Sequence, residues 1–342
     1  MGITAGLDVG GAHLKVAVAD RGRVTHVEQI ACPLWQGLAN LDRALALARP
    51  LLTSAETIAI TMTGELSDLF SNRREGVETL VGKLDADYED AARFWMGRRG
   101  FGDAAEAKAH HVDVGSTNFL ATAELIARRR PDALLIDMGS TTTDIIPIVA
   151  GKAAATGLTD AERLESGELI YTGLTRTAVM GVTTAALFRG RQQGLCREYL
   201  ATMADARRIL GHLPDGVDQH ATADGRGKST AESIARLSRM FGRDATDGSA
   251  AEWREAAAGI AEAQIQSIAE GYEAVARSSQ LAADAPIVVA GIGAGVISAS
   301  LAARSGRDVI FFGDLAEAQS SVVTAATHCA PAVAVALLAS QE

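Results

Sequence analysis

Gly6-Leu7-Asp8-Val9-Gly10-Gly11-Ala12-His13-Leu14-Lys15 is echoed 129 residues later by Leu135-Ile136-Asp137-Met138-Gly139-Ser140-Thr141-Thr142-Thr143-Asp144. Each copy is an apolar strand, an aspartate, a turn of small residues and a second alternating strand. The register carries into the next turn, where Gly22-Arg23 falls on Gly151-Lys152. One such hairpin alone is a tight turn whose polar residues satisfy their own backbone. Two in register imply a pair of related halves that face each other across a cleft and clamp a polyphosphate from both sides.

The chemistry follows from residue types. A carboxylate at a strand end, Asp8 or Asp137, can hold a hydrated Mg²⁺, which takes few protein oxygens and keeps its waters. Gly10, Gly11 and Gly139 lack a Cβ, so backbone N–H groups can approach phosphate oxygens closely. Ser140, Thr141 and Thr142 add hydroxyl donors. Lys15 and Asp144 occupy equivalent places on the second strands: one is a cation for phosphate, the other a second carboxylate for the metal or a general base.

A chain of 342 residues exceeds what one core usually serves, roughly 250–300 residues, so two core-bearing units are expected. We place them at 1–130 and 131–342. Hydrophobic content of 48% with 22% charged residues is that of a folded protein. A net charge of −10 argues against a nucleic-acid partner, which needs a basic face. Three widely separated cysteines, Cys32, Cys196 and Cys329, and no leader-like start suggest a cytoplasmic chain. The uncharged stretch from Ile287 to Ala303 carries three glycines in five positions, which reads as a turn rather than a membrane span.

Strands are expected at Ile3–Val9, Leu14–Ala19, Arg23–Cys32 and Thr57–Thr63, and helices at Leu38–Leu52, Arg74–Leu84 and Asn118–Arg130. Residues 86–116 read as irregular. The second half repeats the pattern at Ala133–Asp137, Thr142–Val149 and Lys152–Thr156. It then takes a helical insertion at about 195–283, with helices at Glu198–Leu210, Thr230–Phe241 and Ala250–Ser278. The sheet resumes at Ile287–Ala290 and Asp308–Phe312, and Ala318–Ala339 is a closing helix with a break near Pro331.

Other signals are weaker. Ala290-Gly291-Ile292-Gly293-Ala294-Gly295 follows a strand and opens a helix, so Gly291 and Gly293 either bring backbone to a nucleotide or serve packing. Thr63-Gly64-Glu65-Leu66-Ser67-Asp68 offers two carboxylates as base or metal ligands, or as charge at a helix start. Arg176, in Tyr171-Thr172-Gly173-Leu174-Thr175-Arg176-Thr177, either forks onto an anion or is a solvated surface residue. His110-His111 and Asp113 read as non-metal, because adjacent side chains of a strand diverge. Trp95 and Phe101 beside Arg98-Arg99 line an aromatic pocket or cover the core.

The two hairpins and the Gly291 turn together resemble the acetate kinase–sugar kinase–Hsp70–actin (ASKHA) superfamily. The first loop departs from sugar kinases in reading Gly-Gly-Ala-His. Asp137–Asp144, Thr63–Asp68 and Tyr171–Thr177 resemble its hydantoinase/oxoprolinase branch, within which the whole chain is similar to a short family linked to tetrahydromethanopterin-dependent one-carbon transfer. Asn118–Ala123 and Thr222–Gly225 take part in that resemblance.

The resemblance implies an α/β protein of two actin-like (ribonuclease H-like) domains, the second carrying the helical insertion. It implies a coupling transferase of methanofuran or methylofuran assembly. Such an enzyme joins an aminomethylfuran-methyl diphosphate to a tyrosine- or tyramine-derived phenol and releases diphosphate. Asp8, Lys15, Glu65 and Asp144 would be catalytic, with Glu65 or Asp144 as the base, and Asp8 and Asp137 would hold Mg²⁺. Gly10, Gly11, Gly139, Ser140, Thr141, Thr142, Gly291 and Gly293 would bind the phosphates or, if ATP is a ligand, its nucleoside. An ATP-dependent phosphotransferase or amide hydrolase and a non-catalytic nucleotide-binding protein are the alternatives. A homodimer is left open.

Overall fold

The computed structural model describes residues 2–342. The first sheet has β1 (Ile3–Val9), β2 (His13–Asp20), β3 (Arg23–Ala31), β4 (Thr57–Met62), β5 (Ala92–Trp95) and β6 (Phe101–Gly102), in spatial order 3-2-1-4-5-6. The second holds β7 (Ala133–Met138), β8 (Thr143–Val149), β9 (Lys152–Ala153) and β10 (Leu169–Ile170). A two-stranded ribbon, β11 (Ala185–Phe188) with β12 (Arg191–Gly194), stands apart. β13 (Ile287–Ala290) and β14 (Val309–Phe311) return to the second sheet, whose order is 10-8-7-13-14 with β9 on β8.

The repeat seen in the sequence is a repeat in space. β1 runs antiparallel to β2 and parallel to β4, as β7 runs antiparallel to β8 and parallel to β13. Asp8 pairs with Lys15 across β1–β2, and Asp137 pairs with Asp144 across β7–β8 in the equivalent register.

Between the sheets lie two helices, Asn118–Arg129 and Ala330–Ala339, in one continuous core with Ala17, Leu135 and Val288. The Ala330–Ala339 helix is apolar on every side because it is buried on every side, against β1, β2 and β4 and against the Asn118–Arg129 helix. Its backbone comes so close to β1 that a Cβ on Gly6 would collide with the Ala332 carbonyl. Alternation along β1 sends Leu7 and Val9 to the opposite face, where they meet Leu41, Leu45, Val77 and Leu80 of the outer helices. Asp8 therefore points towards the layer between the sheets, and Asp137 does the same from β7.

Some elements differ from expectation. The 86–116 stretch contains β5, β6 and the helices Ala104–Ala109 and His111–Val114. These are too short to show a period, and β5 is recognisable only by its parallel pairing to β4. The first helix of the insertion starts at Met203, not Glu198, because Thr202 and Asp205 form a capping box there. The closing segment is two helices, Val323–His328 and Ala330–Ala339, interrupted at Cys329 before Pro331. The insertion has its own core around Phe188, Phe241 and Trp253. Among the described residues no helix is long and apolar enough to cross a membrane.

Candidate active site

A cleft of about 500 Å³ opens where the two hairpin loops face each other. Asp8, Gly10, Gly11, Lys15, Asp137, Gly139, Ser140, Thr141, Thr142 and Asp144 all line it. The two loops close the same way: Gly10 N–H donates to the His13 carbonyl at 3.0 Å, and Gly139 N–H to the Thr142 carbonyl at 2.9 Å. Gly11 has open space where a Cβ would stand, so its backbone is accessible from the cleft.

Charge is concentrated at the bottom. Lys15 Nζ donates to Asp8 Oδ2 at 3.1 Å, and Asn118 Nδ2 lies 3.5 Å from Asp8 Oδ1. Burial works against the Lys15 ammonium, but the Asp8 carboxylate and then Cys329 and Asp137 outweigh it and hold its pKa above the ordinary value. Asp137 is pushed up to about 7, mainly by burial; Lys15 opposes the shift, and Asp144 and Asp8 add to it. Asp144 is also raised by burial, and is held by the buried Arg163, which bonds it together with Asp160 at 2.9 Å. The Arg163 guanidinium lies 3.9 Å above the Phe119 ring centroid.

Two carboxylates, Asp8 and Asp137, thus converge on one cleft and repel each other, a pairing that a cation would relieve. That fits a Mg²⁺ held by few protein oxygens and otherwise by phosphate and water. Among the described residues no cluster of three or more His, Cys, Asp or Glu could hold a metal unaided.

Other expected residues fall elsewhere. Glu65 is 1% exposed and outside the cleft lining, although its neighbours Leu66, Ser67 and Asp68 belong to it. Ser116 Oγ donates to Glu65 Oε1 at 2.7 Å, Oε2 has no partner, and burial pushes the carboxyl up to about 7. Gly291, at φ +77°, and Gly293 pack on β7: side chains there would collide with Asp137 and Met138. They lie behind the cleft, which Ile292 alone of that turn enters. A second, largely apolar cavity of about 500 Å³ runs from Ile292 and Gly295 to Arg207, Leu210 and Ile265.

Arg176 does enter the cleft. Its segment is strapped to the second loop by Leu174 N–H to the Gly139 carbonyl at 2.9 Å and Arg176 N–H to the Ser140 carbonyl at 2.8 Å. The guanidinium donates to Thr141 Oγ1 at 3.2 Å and lies 4.8 Å from the Trp35 ring centroid. Trp95 and Phe101 are core, in edge contact at 5.2 Å, with Trp95 Nε1 bonded to the Thr117 carbonyl. Asp113 pairs with Arg99 at 2.7 Å.

Sequence reading missed His13, Trp35, Asn118, Arg163 and His328 as cleft residues. His13 was visible only as an oddity of the first loop, and Asn118 only as part of a resemblance. Arg163 and Trp35 carry no local signal, because their roles depend on partners far along the chain.

The hydantoinase/oxoprolinase family profile matches residues 56–340. A (4-{4-[2-(gamma-L-glutamylamino)ethyl]phenoxymethyl}furan-2-yl)methanamine synthase of Methanocaldococcus jannaschii is 33% identical over 240 residues, 70% of this chain and 71% of that protein. A protein of the same name from Methanococcus vannielii is 33% identical over 170 residues, 50% of this chain and 75% of its own. Among solved structures, component A of the (R)-2-hydroxyglutaryl-CoA dehydratase of Acidaminococcus fermentans aligns with a TM-score of 0.50 at 13% identity, over 100% of this chain and 98% of that one. A nucleotide-free acetone carboxylase structure gives 0.56 at 10% identity, over 97% and 70%. At such identities the structural likeness speaks for the fold alone, a twofold actin-like α/β arrangement.

Proposed function

The chain belongs to the hydantoinase/oxoprolinase family, and from that premise we propose an enzyme of methanofuran-type cofactor assembly that forms an aryl ether and releases diphosphate. The donor is an aminomethylfuran-methyl diphosphate and the acceptor a phenol derived from tyramine or tyrosine. The bond from the furan methylene carbon to the diphosphate oxygen breaks, and its electron pair leaves with diphosphate. The phenol oxygen bonds to that carbon and gives up its proton. The observation that carries this reading is the pair of in-register loops closing one cleft, in a chain 33% identical to a synthase whose named product contains a phenoxymethylfuran.

The residues fit the demand. Negative charge develops on the leaving diphosphate, and Lys15, fixed by Asp8, stands in the cleft to meet it. The Gly10–Gly11 and Gly139–Thr142 loops add backbone and hydroxyl donors from opposite sides. Mg²⁺, held by Asp8 and Asp137, would neutralise the phosphate oxygens. Of the two carboxylates expected to take the phenol proton, Asp144 lines the cleft and is the better placed; Glu65 lies beneath it.

The test is incubation of the full chain with Mg²⁺, the furan diphosphate and a glutamyl-tyramine or tyrosine acceptor, without ATP. Stoichiometric diphosphate and an ether of the summed mass are expected. If both substrates survive unchanged, the reading is wrong.

One observation favours a second reading. The apolar cavity beside Ile292 and Gly295 could seat a nucleoside, as an ATP-dependent phosphotransferase or amide hydrolase requires. Turnover that needs ATP, and is lost on filling that cavity with Ala299→Trp, would select it.

A further inference from the structure

Four rings and planes from separate parts of the chain form a continuous, tilted stack at the cleft, with 58° between His13 and His220 and 52° between His220 and Trp35. His13 and His220 have ring centroids 4.6 Å apart, and His220 and Trp35 are 5.4 Å apart. The Arg176 guanidinium covers Trp35 at 4.8 Å. Two independent features mark the stack as a place for a ligand. His13 is 5% exposed and lines the cleft, yet its Nε2 has no hydrogen-bond partner, and neither has Nε2 of His220. Buried polar atoms are normally satisfied, because an orphan forfeits its hydration without a replacement bond. Trp35 also lines the cleft and keeps 37% of its surface exposed.

We propose that Trp35, His13 and His220 form the seat of the phenolic acceptor, the ring lying against Trp35 and its hydroxyl donating to Nε2 of His13. This rests on the coupling reading above and assigns the acceptor its place in the cleft. An aromatic ring matches an exposed indole flanked by an imidazole, and a hydroxyl donor matches an imidazole nitrogen. Burial first, and then His220, Lys15 and Arg176, press the His13 pKa down to about 2; burial and Arg176 bring His220 to about 4. Both imidazoles are therefore neutral at pH 7, and a neutral imidazole keeps one acceptor nitrogen. A cationic ligand would meet Lys15 and Arg176, and an anionic one would take those two groups rather than the rings.

Nε2 of His13 is buried and the His220 ring stands 4.6 Å away, so the acceptor enters as His220 tilts away. Its segment is a strap from the insertion. Gln219 Nε2 donates to the Gln29 carbonyl at 3.1 Å on the first sheet, while Lys228 and Arg208 hold Asp218 on the other side. The hydrogen bond to His13 orients the hydroxyl on binding; the phenol has a single O–H proton, so the hydroxyl turns from His13 towards Asp144 before that carboxylate takes it.

The test uses intrinsic fluorescence. Trp95 and Trp253 are 5% and 1% exposed, so Trp35 is the tryptophan of the three that a ligand can reach. N-acetyltyramine, which is uncharged, titrated into the full chain with Mg²⁺, should alter the emission saturably. N-acetylphenethylamine, which lacks the hydroxyl, should bind about tenfold more weakly, the worth of one hydrogen bond. His13→Leu, which has no acceptor, should abolish that discrimination, and Trp35→Phe, at a partly exposed site, should remove the signal. Equal binding of the two amides to the unaltered protein, discrimination that survives in His13→Leu, or a signal that survives in Trp35→Phe overturns the assignment. If discrimination is seen but the furan diphosphate yields no ether, the seat stands and the coupling reading falls.

Discussion

Lys15 and Asp8 face each other across β1–β2 and close into a partly buried ion pair at 3.1 Å, whereas the equivalent pair on β7–β8, Asp144 and Asp137, consists of two carboxylates. One twofold frame thus carries opposite charge at corresponding positions. The lysine answers both sides, since Asp137 as well as Asp8 raises its pKa. Lys15 is the electrostatic hinge of the cleft.

Lys15→Met should therefore do two kinds of damage. Loss of a donor aimed at developing charge lowers kcat by about 10²–10³. The variant also leaves Asp8, 1% exposed, without its cation, which costs on the order of 3–5 kcal/mol of stability. Lys15→Met with Asp8→Asn should regain much of the stability and none of the rate. Urea unfolding and diphosphate release separate the two effects.

Glu65 makes stability depend on pH in an unusual direction. Its carboxyl is raised from 4.5 to about 7, so between those values the folded state holds a proton that the unfolded chain has lost. Stability is then fully present below about pH 4.5 and declines as pH rises through 7. Glu65→Gln keeps an acceptor for Ser116 and removes the titration. It should match the unaltered protein near pH 5 and exceed it at pH 8 by on the order of 2 kcal/mol. Parallel unfolding midpoints across that range would refute the assignment.

Gly6 and Gly11 should respond in opposite ways to one methyl group. At Gly6 the added Cβ meets the Ala332 carbonyl, and neither the strand nor the buried helix can give way. Gly6→Ala should cost about 3 kcal/mol or more, or yield no folded protein. Gly11→Ala meets nothing within 4 Å and should leave the melting temperature nearly unchanged. Its methyl group would nevertheless stand at the accessible loop, so binding of diphosphate, measured by calorimetry, should weaken.

Arg163 and Asp144 should be strongly coupled. Arg163→Met strands the half-buried Asp144 carboxylate and should destabilise the fold by about 1–3 kcal/mol. Asp144→Asn in that background should recover part of the loss. A double-mutant cycle in thermal unfolding should return a coupling of about 1–3 kcal/mol, and simple additivity would show that the pair is not an energetic unit.

Much of the frame was legible along the chain. The twin hairpins, the parallel strand after each and the insertion announce themselves through alternation, glycine turns and helical period, all of which depend on near neighbours. β5 and β6 escaped because strands of four and two residues carry no period. The site was half legible. Asp8, Lys15, Asp137, Asp144 and the loop glycines follow from the repeated motif and do meet in one cleft. The Gly291 turn, by its letters alone, was equally a ligand loop or a packing device. Its contacts with Asp137 and Met138 place it against β7, with Ile292 alone reaching the cleft.

The sequence by itself determined which residues end each strand and face the layer between the sheets, because strand period and turn chemistry are local. Only the tertiary structure decided what those residues meet. Arg163 reaches Asp144 from a helix capped by Thr159, His220 reaches His13 of the first loop, and Trp35 and Arg176 join that contact from two further segments. The physical reason is that ion pairs, ring contacts and burial act through space. Their partners are chosen by how the sheets and the insertion pack, which no single stretch of chain encodes.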